Sequence, residues 1–524
     1  MAAAILLMLY PRGVYYALPN NGKLYFYLSP TTSYFDIDNT NRFPFVIAML
    51  SIVVLLLLVV KKENHAKKTF VLICLSFCII ASPLSWLIYR DWYRSVTLIQ
   101  IIVLFLHVAT LMIQVKLKNP SGLKYMSEKT DRRTWVQIDL DAIAQNVQVI
   151  NKILDGKSKI MAIVKADAYG HGAAFVAREL AQCGVDFFGV SSIDEAMQLR
   201  ESGITQNIII LGYTNPVEEN IKKLIKYNII QTVFDFDYVK VLSETADRYN
   251  KNIKIHIKID TGMNRLGFRY TSKNKDKNII EKIKEIKRLD NIVCEGIFTH
   301  FAVSDEKKSD FTHEQFSLFQ ELINSLEKEN IFFDIKHAAN SGATLNFKET
   351  HLDYVRCGLI LYGLYPSESV PNIGLVPAME FKTIISQVHT VKQGETISYG
   401  RTYKADNDML CATLPVGYAD GFSRLLSNSA KVIVNGKQAP VTGVVCMDQS
   451  IIDVTDCENV KAGDIVTVFG YDEEFPAHRE HISVEQVAEI MGTINYEVVC
   501  LIGKRVPRIF YRNGEEIGHL NYIK

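Results

Sequence analysis

Three long stretches without a charged residue open this 524-residue chain and set the strongest limit on its fold. Residues 43–60, 69–89 and 96–115 read FPFVIAMLSIVVLLLLVV, TFVLICLSFCIIASPLSWLIY and VTLIQIIVLFLHVATLMIQV. A helix of about 20 apolar residues crosses a ~30 Å hydrocarbon core and satisfies its own backbone hydrogen bonds there. Runs this long and this closely spaced fit membrane spans better than buried core helices. Lys61, Lys62, Lys67 and Lys68 fill the first connection, and Lys116, Lys118 and Lys124 follow the third run. The positive-inside rule places those lysines, and the rest of the chain after them, in the cytoplasm. Trp86, Tyr89, Trp92 and Tyr93 suit the outer interface, and residues 10–42 then face outward. The opening MAAAILLMLY is too short to span and lacks a basic start, so it reads as a partial or interfacial segment and not as a signal peptide. The expectation is a multi-pass cell-membrane protein. Residues 1–125 form its membrane region, with about three transmembrane helices, the lipid bilayer is a partner, and the remainder is cytoplasmic.

Beyond residue 126 the pattern alternates. TWVQIDL, KIMAIVKA, DFFGVSS, NIIILGY, NIIQTVF and IKIHIKID are strand-like, and helical segments such as DAIAQNVQVINKIL separate them, with Asp141 a candidate N-cap. A β-then-α rhythm predicts a parallel sheet with crossover helices, and its length favours a closed (β/α)₈ barrel over residues 126–366. Residues 367–524 carry short strand-like runs with Gly and Asn-Gly punctuation, which predict an all-β domain interrupted by one helix, SVEQVAEIMG. Asn435-Gly436 is a hairpin signal. Lys plus Arg total 58 against 57 Asp plus Glu, so nothing suggests a nucleic-acid partner. The nine cysteines are odd in number and unpaired in spacing, which argues against a disulfide-stapled secreted fold. No metal is expected.

Lys165 is the first residue that suggests chemistry. It follows the apolar run IMAIV, at the strand end where barrels build active sites. Burial lowers a lysine's pKa and makes it a nucleophile. The string around it, VKADAYGHG (164–172), resembles the pyridoxal phosphate motif of the alanine racemase family. DTGMNRLGFR (260–269), THFAVSDE (299–306), HAANSGAT (337–344), RCGLILYGLYP (356–366), ISYGRTY (397–403), LPVGYADGF (414–422), VCMDQ (445–449) and RVPRIF (505–510) match further segments of that family in order. The resemblance implies a pyridoxal 5'-phosphate barrel enzyme with a β domain, acting as a head-to-tail homodimer on a small amino acid.

The resemblance also implies roles. Lys165 holds the cofactor and serves as one of two catalytic bases. Tyr399, from the other subunit, is the second, and His300 hydrogen-bonds it. Racemisation removes a proton from one face of Cα and delivers one to the other, which is why two bases are needed. Arg356 matches the arginine at the cofactor's pyridine nitrogen, and Arg265 a residue near the substrate carboxylate. Lys258 matches a position carbamylated in some members. Tyr169, Ser341, Gly358 and Leu359 match the phosphate cradle, and Asn340 orders its serine. Met447 and Asp448 match substrate-binding residues that reach across the dimer. Gly170, Gly172, His337 and Cys446 have ordinary structural readings, as turn glycines, a satisfied core histidine and a small buried thiol, and His171 reads as structural.

One position departs from the family pattern. A tyrosine commonly precedes R-V-P-R, and here that position is Lys504. An ammonium still binds phosphate, but the pocket beside the substrate side chain changes, and an apolar pocket rejects an added hydroxyl only modestly. The reading is therefore a membrane-anchored racemase of alanine, serine or both, similar to membrane-bound serine/alanine racemases, supplying D-amino acids for peptidoglycan precursors. The alternatives are a non-catalytic amino-acid-binding membrane sensor or transport component, and a related decarboxylase.

Overall fold

The computed structural model describes residues 14–17, 25–28, 132–306, 308–471 and 480–523. The three apolar runs and the MAAAILLMLY opening lie outside the described residues, and the expected membrane topology lies there with them. Among the described residues no helix is long and apolar enough to cross a membrane. The chain divides into two compact units, Met1–Met126 and Ser127–Lys524. In the first, Val14–Ala17 pairs antiparallel with Tyr25–Leu28.

The second unit begins with β1 (Thr134–Asp139) and α1 (Leu140–Leu154). It continues through β2 (Lys159–Ile163), α2 (Ala173–Gln182), β3 (Phe187–Val190), α3 (Ile193–Glu201), β4 (Asn207–Ile210), α4 (Glu218–Lys226), β5 (Ile230–Val233) and α5 (Phe236–Arg248). Then come β6 (Ile253–Asp260), α6 (Ile279–Lys287), β7 (Ile292–Phe298), α7 (Phe311–Lys328), β8 (Ile335–His337), α8 (Ser341–Asn346) and β9 (Tyr354–Cys357). Strands β2 to β9 lie parallel in sequence order, and the ring closes where β9 pairs with β2, Arg356 beside Met161. This is the expected closed eight-stranded barrel. Its strands are near-continuous apolar runs because the barrel core covers one face and the helices the other. Met161, Ala162, Phe187, Phe188, Ile208, Ile209 and Ile210 are all fully buried. The helices are striped instead. In α1 the buried residues Leu140, Ile143, Val147, Ile150 and Leu154 alternate spacings of three and four, the helical period.

The β-rich domain follows with β10 (Met379–Ile384), β11 (Gln387–Val391), β12 (Met409–Leu414), β13 (Lys431–Val434), β14 (Lys437–Pro440), β15 (Ser450–Asp453) and β16 (Ile465–Tyr471). Two helices, α9 (Val484–Met491) and α10 (Asn495–Cys500), precede β17 (Arg508–Arg512) and β18 (Glu515–Leu520). The larger sheet has the order β14-β13-β16-β10-β1-β17-β18, and a smaller one the order β11-β12-β15. Asn435 and Gly436, at φ 48° and 76°, join β13 to β14 in the predicted hairpin.

Three sequence expectations need correction. TWVQIDL is not the first barrel strand: β1 pairs antiparallel with β10 and parallel with β17, in the centre of the second domain's sheet. Its Trp135, Val136 and Ile138 are buried there, a local pattern indistinguishable from a barrel strand's. The N-cap of α1 is Asp139, whose carboxylate accepts the N–H groups of Asp141 and Ala142. Leu140 is already on the buried face, so the helix starts before Asp141, which falls in its first turn. The β domain also carries α10 as well as α9, the latter closed by a Ser483–Gln486 capping box.

Candidate active site at the mouth of the barrel

Lys165 leaves β2 and enters an unusual turn. Ala166, Asp167, Ala168 and Tyr169 have φ of 50°, 55°, 55° and 53°, a single left-handed helical turn built from non-glycine residues. Such a conformation costs roughly 1–2 kcal/mol per residue, so the surroundings must impose it. Glu195, on α3, accepts the N–H of Ala166 on one carboxylate oxygen and that of Ser191 on the other, both at 2.7 Å. Asp167 accepts from Ala173 N at 2.8 Å and bonds the Tyr522 hydroxyl. Arg508 donates to Gly170 O at 3.1 Å and lies over the Tyr522 ring. Gly170 sits at φ 80°, and a Cβ there would fall 2.3 Å from Val499 O in α10. Its glycine is therefore required by a close approach as well as by its backbone angle. Strain held this firmly at one lysine points to function.

Cations gather around that lysine. Burial, then the Arg265 guanidinium, lowers the Lys165 pKa, while Glu195 acts the other way. Lys258, on β6, is buried and falls to about 8, through burial first and then Arg265, Arg356 and Lys165, against the opposing Asp260 carboxylate. Arg356, on β9, is buried; burial and Arg265 lower its pKa, and a guanidinium remains charged at neutral pH. Its Nη1 donates to His337 Nδ1 at 2.8 Å, and its Nη2 to Thr299 O and Ala338 O at 2.8 and 2.7 Å. Nη2 also lies 3.2 Å from His300 Nδ1. Burial and then Arg356, Lys258, Arg265 and Lys165 hold His300 well below its usual pKa, so it is neutral. With Nδ1 accepting from Arg356, its proton resides on Nε2, free to be donated. A mouth holding this many cations favours ligands with several negative charges.

A second cluster faces the lysine turn from β8 and β9. Gly358 N donates to Ser341 Oγ at 3.0 Å. A Cβ on Gly358 would fall 2.5 Å from the Tyr169 hydroxyl, so two hydroxyls and a backbone strand converge at one point. Burial raises the Tyr169 pKa, which keeps that hydroxyl a donor. Asn340 Oδ1 accepts from Ala343 N at 3.0 Å and Ser304 Oγ at 2.6 Å, fixing the turn that carries Ser341. Leu359 follows in a buried 3₁₀ turn. This donor set suits a phosphate dianion, and a pyridoxal phosphate reaching from here to Lys165 fits the residues present.

The remaining predicted residues lie elsewhere on the second domain. Tyr399 is 70% exposed and Met447 53%. Among the described residues no hydrogen bond or ring contact joins either side chain to Lys165. Their loops are tied together: Ser398 Oγ donates to Val444 O at 2.5 Å and lies 3.5 Å from Cys446 Sγ. Arg505 holds the same loop, donating to Met447 O at 3.3 Å and pairing with Asp448 at 2.6 Å. Its other contact is Asp420, a fully buried carboxylate that Arg133 also reaches at 2.5 Å. Lys504, next to Arg505, is exposed. His300 bonds Arg356 within this chain, while Tyr399 stands apart from it.

Sequence reasoning missed Glu195, Asp167, Arg508 and Tyr522, the frame of the lysine turn, and Arg505 with Asp420. Asp167, Asp420, Arg505 and Arg508 lie inside the family-like strings but carry no role legible there, and Glu195 and Tyr522 lie outside them, because each acts on backbone or loop geometry. His171 is structural: it is buried, stacks on Tyr362 at 4.5 Å, bonds the Ala168 and Tyr169 carbonyls through Nδ1 while its Nε2 has no hydrogen-bond partner among the described residues, and burial lowers it to about 4.

Fold and site together define a (β/α)₈-barrel enzyme with an appended β domain and a lysine-centred, anion-seeking mouth. Comparison with known proteins makes this specific. The family model for the alanine racemase N-terminal domain matches residues 138–366, and that for the C-terminal domain residues 378–510. An alanine racemase of Clostridium acetobutylicum is 45% identical over 394 residues, covering 75% of this chain and 99% of that protein. One from Clostridium perfringens is 47% identical over 396 residues, with the same coverage. Among solved structures, alanine racemase of Clostridium difficile 630 superposes with a TM-score of 0.71 at 36% identity, over 75% of this chain and all of that one. Alanine racemase of Bacillus anthracis with bound L-Ala-P gives 0.69 at 36%, over 75% of this chain and 99% of that one. The chain belongs to the alanine racemase family.

Proposed function

We propose that the chain is a pyridoxal phosphate-dependent racemase that interconverts L- and D-alanine, and that two copies share each site. The observation that carries this reading is the juxtaposition of Lys165, on its left-handed turn, with the Tyr169–Ser341–Gly358 cluster. When bound, the cofactor supplies an electron sink that makes the substrate's Cα–H acidic. The residues of the chain do the rest. Tyr169, Ser341, the Gly358–Leu359 backbone and Lys504 would hold the phosphate. Arg356 would face the pyridine nitrogen as a donor that keeps its proton, and so would moderate the sink and favour simple proton exchange over side reactions. Arg265 and the Met447–Asp448 loop take the substrate carboxylate. Lys165 Nζ, whose lowered pKa leaves more of it neutral near pH 7, accepts or returns a proton on one face of Cα. The Tyr399 hydroxyl of a second copy serves the opposite face, with the His300 Nε2–H directed at its oxygen.

The exposure of Tyr399 and Met447 on adjoining loops supports the shared site, since a free surface there is what a second copy would cover. The names of the relatives support alanine as substrate. Lys504 favours testing serine beside it. The apolar runs before residue 116 support a multi-pass membrane anchor with the catalytic unit in the cytoplasm, and D-alanine made there would feed peptidoglycan precursors.

The test uses the full chain in detergent with pyridoxal phosphate. L-Alanine should yield D-alanine and exchange its α-hydrogen with deuterated solvent. Lys165→Ala should lose the visible band of the bound cofactor. A folded wild type that binds no cofactor and exchanges no α-hydrogen of alanine or serine refutes the proposal, and a preference for a large cationic amino acid refutes the substrate.

A further inference from the structure

Behind Arg356 a string of side chains runs away from the mouth through the barrel interior. Arg356 Nη1 meets His337 Nδ1 at 2.8 Å, His337 Nε2 meets His256 Nδ1 at 3.0 Å, and His256 Nε2 meets Glu295 Oε2 at 3.4 Å. Lys254 ends the string on the other oxygen of Glu295 at 2.6 Å. Both histidines are fully buried and no step assigned above uses His256, Glu295 or Lys254.

The backbone is shaped to build this string. Along β6 and β7, Cys294 pairs with Ile255 and Gly296 with His256, which leaves Glu295 as the extra residue of a bulge. A bulge re-aims a side chain, and here it brings a carboxylate against an interior histidine. The next residue must be small: a Cβ on Gly296 would fall 2.6 Å from the His256 ring. Phe187 meets His256 edge-on at 5.7 Å, and Phe298 stacks on His337 at 4.5 Å. An aromatic ring thus packs against each histidine.

Donor and acceptor rules then allow one arrangement. A guanidinium only donates and an ionised carboxylate only accepts. His337 must accept at Nδ1 and carry its proton on Nε2; His256 must do the same. Burial keeps both rings neutral, and hydrogen bonds from His256 and from the Lys254 ammonium hold Glu295 down at about 2, ionised. We propose that Glu295 and His256 are positioning residues which, through His337, fix both tautomers and so hold the Arg356 guanidinium in one orientation at the reacting centre. The inference rests on the proposed function, where Arg356 faces the cofactor's ring nitrogen.

Three variants of the full-length holoenzyme test it: Glu295→Met, Glu295→Gln and Lys254→Met. The Met side chain fills similar volume but offers no acceptor to His256, so kcat should fall about tenfold and the absorption maximum of the bound cofactor should shift, with substrate KM nearly unchanged. The Gln carboxamide oxygen still accepts, and kcat and band should return to near wild type. Lys254→Met removes the ion pair beyond Glu295 but leaves every bond from Glu295 to Arg356 in place, so both readouts should stay put. Glu295→Met with wild-type kcat and band overturns the inference. So does Lys254→Met matching Glu295→Met, which would mean general loosening of the barrel. If Glu295→Met does not fold, Glu295→Gln decides: a folded Gln variant that is tenfold slower with a shifted band overturns it, and a wild-type-like one supports it. A wild type lacking the cofactor band refutes the proposed function and this inference together.

Discussion

One carboxylate oxygen of Glu195 accepts the backbone N–H of Ala166 at 2.7 Å, so a residue on α3 holds the first left-handed step after Lys165. The same carboxylate raises the Lys165 pKa against the burial and Arg265 effects that lower it. Glu195→Leu removes both. The acid limb of the kcat/KM profile should then move to lower pH, because the lysine loses its nearby negative charge and deprotonates more readily. Stability should fall by about 2 kcal/mol, since two partly exposed backbone hydrogen bonds are lost at about 1 kcal/mol each. Glu195→Gln should keep one of the two backbone bonds, through its amide oxygen, while still shifting the profile, and pH–rate curves with thermal melts separate the two effects. An unmoved acid limb in both variants contradicts the electrostatic part.

Gly358→Ala should cripple the phosphate cradle with little effect elsewhere. The new methyl would arrive 2.5 Å from the Tyr169 hydroxyl, so one of the two must withdraw. A loss of about 1.4 kcal/mol or more, tenfold in affinity, is expected. Titrating the stripped protein with pyridoxal phosphate, followed by its absorbance, measures this; unchanged affinity would remove Gly358 from the proposed cradle.

A shared site makes a prediction that a self-contained one does not. Lys165→Ala and Tyr399→Phe should each be nearly inactive. Mixed one to one under exchanging conditions, they should recover about a quarter of wild-type activity, since half the dimers are mixed and each has one intact site of two. No recovery, with subunit exchange shown independently, would place both bases in one chain.

Low pH should destabilise the fold partly through His171. Its folded pKa lies at about 4, below the ordinary value of 6.5, because burial disfavours the charged ring. Between those values the unfolded chain binds the proton first, so stability is full above pH 6.5 and falls as pH drops toward 4. The contribution is on the order of 3 kcal/mol. Melting temperatures at pH 7 and pH 4.5 should differ less in His171→Gln than in wild type.

The sequence displayed some parts of this molecule openly and hid others for definite reasons. The apolar barrel strands and the three-four spacing of α1 are periodic, and periodicity survives without coordinates. Lys165, Arg356 and the Tyr169–Ser341–Gly358 group sit in short strings that resemble family motifs. Asn435-Gly436 shows because a tight turn needs those two residues together. β1 was misplaced because a strand buried on both faces reads the same in either domain. Glu195 was invisible because its partners are backbone N–H groups, which every residue has. Glu295 was hidden because a bulge is a property of two strands' register, and Glu295 in IVCEGIF looks like any strand glutamate.

The position of β1 carries a consequence for how the chain is made. It sits in the middle of the second domain's sheet, between β10 and β17. Its residues leave the ribosome before any barrel strand, and those of β17 are among the last to emerge. That sheet therefore stays open, with its central place unfilled or its own strand unpaired, until translation is almost finished, whereas the barrel strands pair largely in order of synthesis. Pairings that far apart in sequence are slow to close. A chain cut after residue 366 should carry a completed barrel beside a free, apolar β1, a natural place for a chaperone to bind and for truncated copies to aggregate.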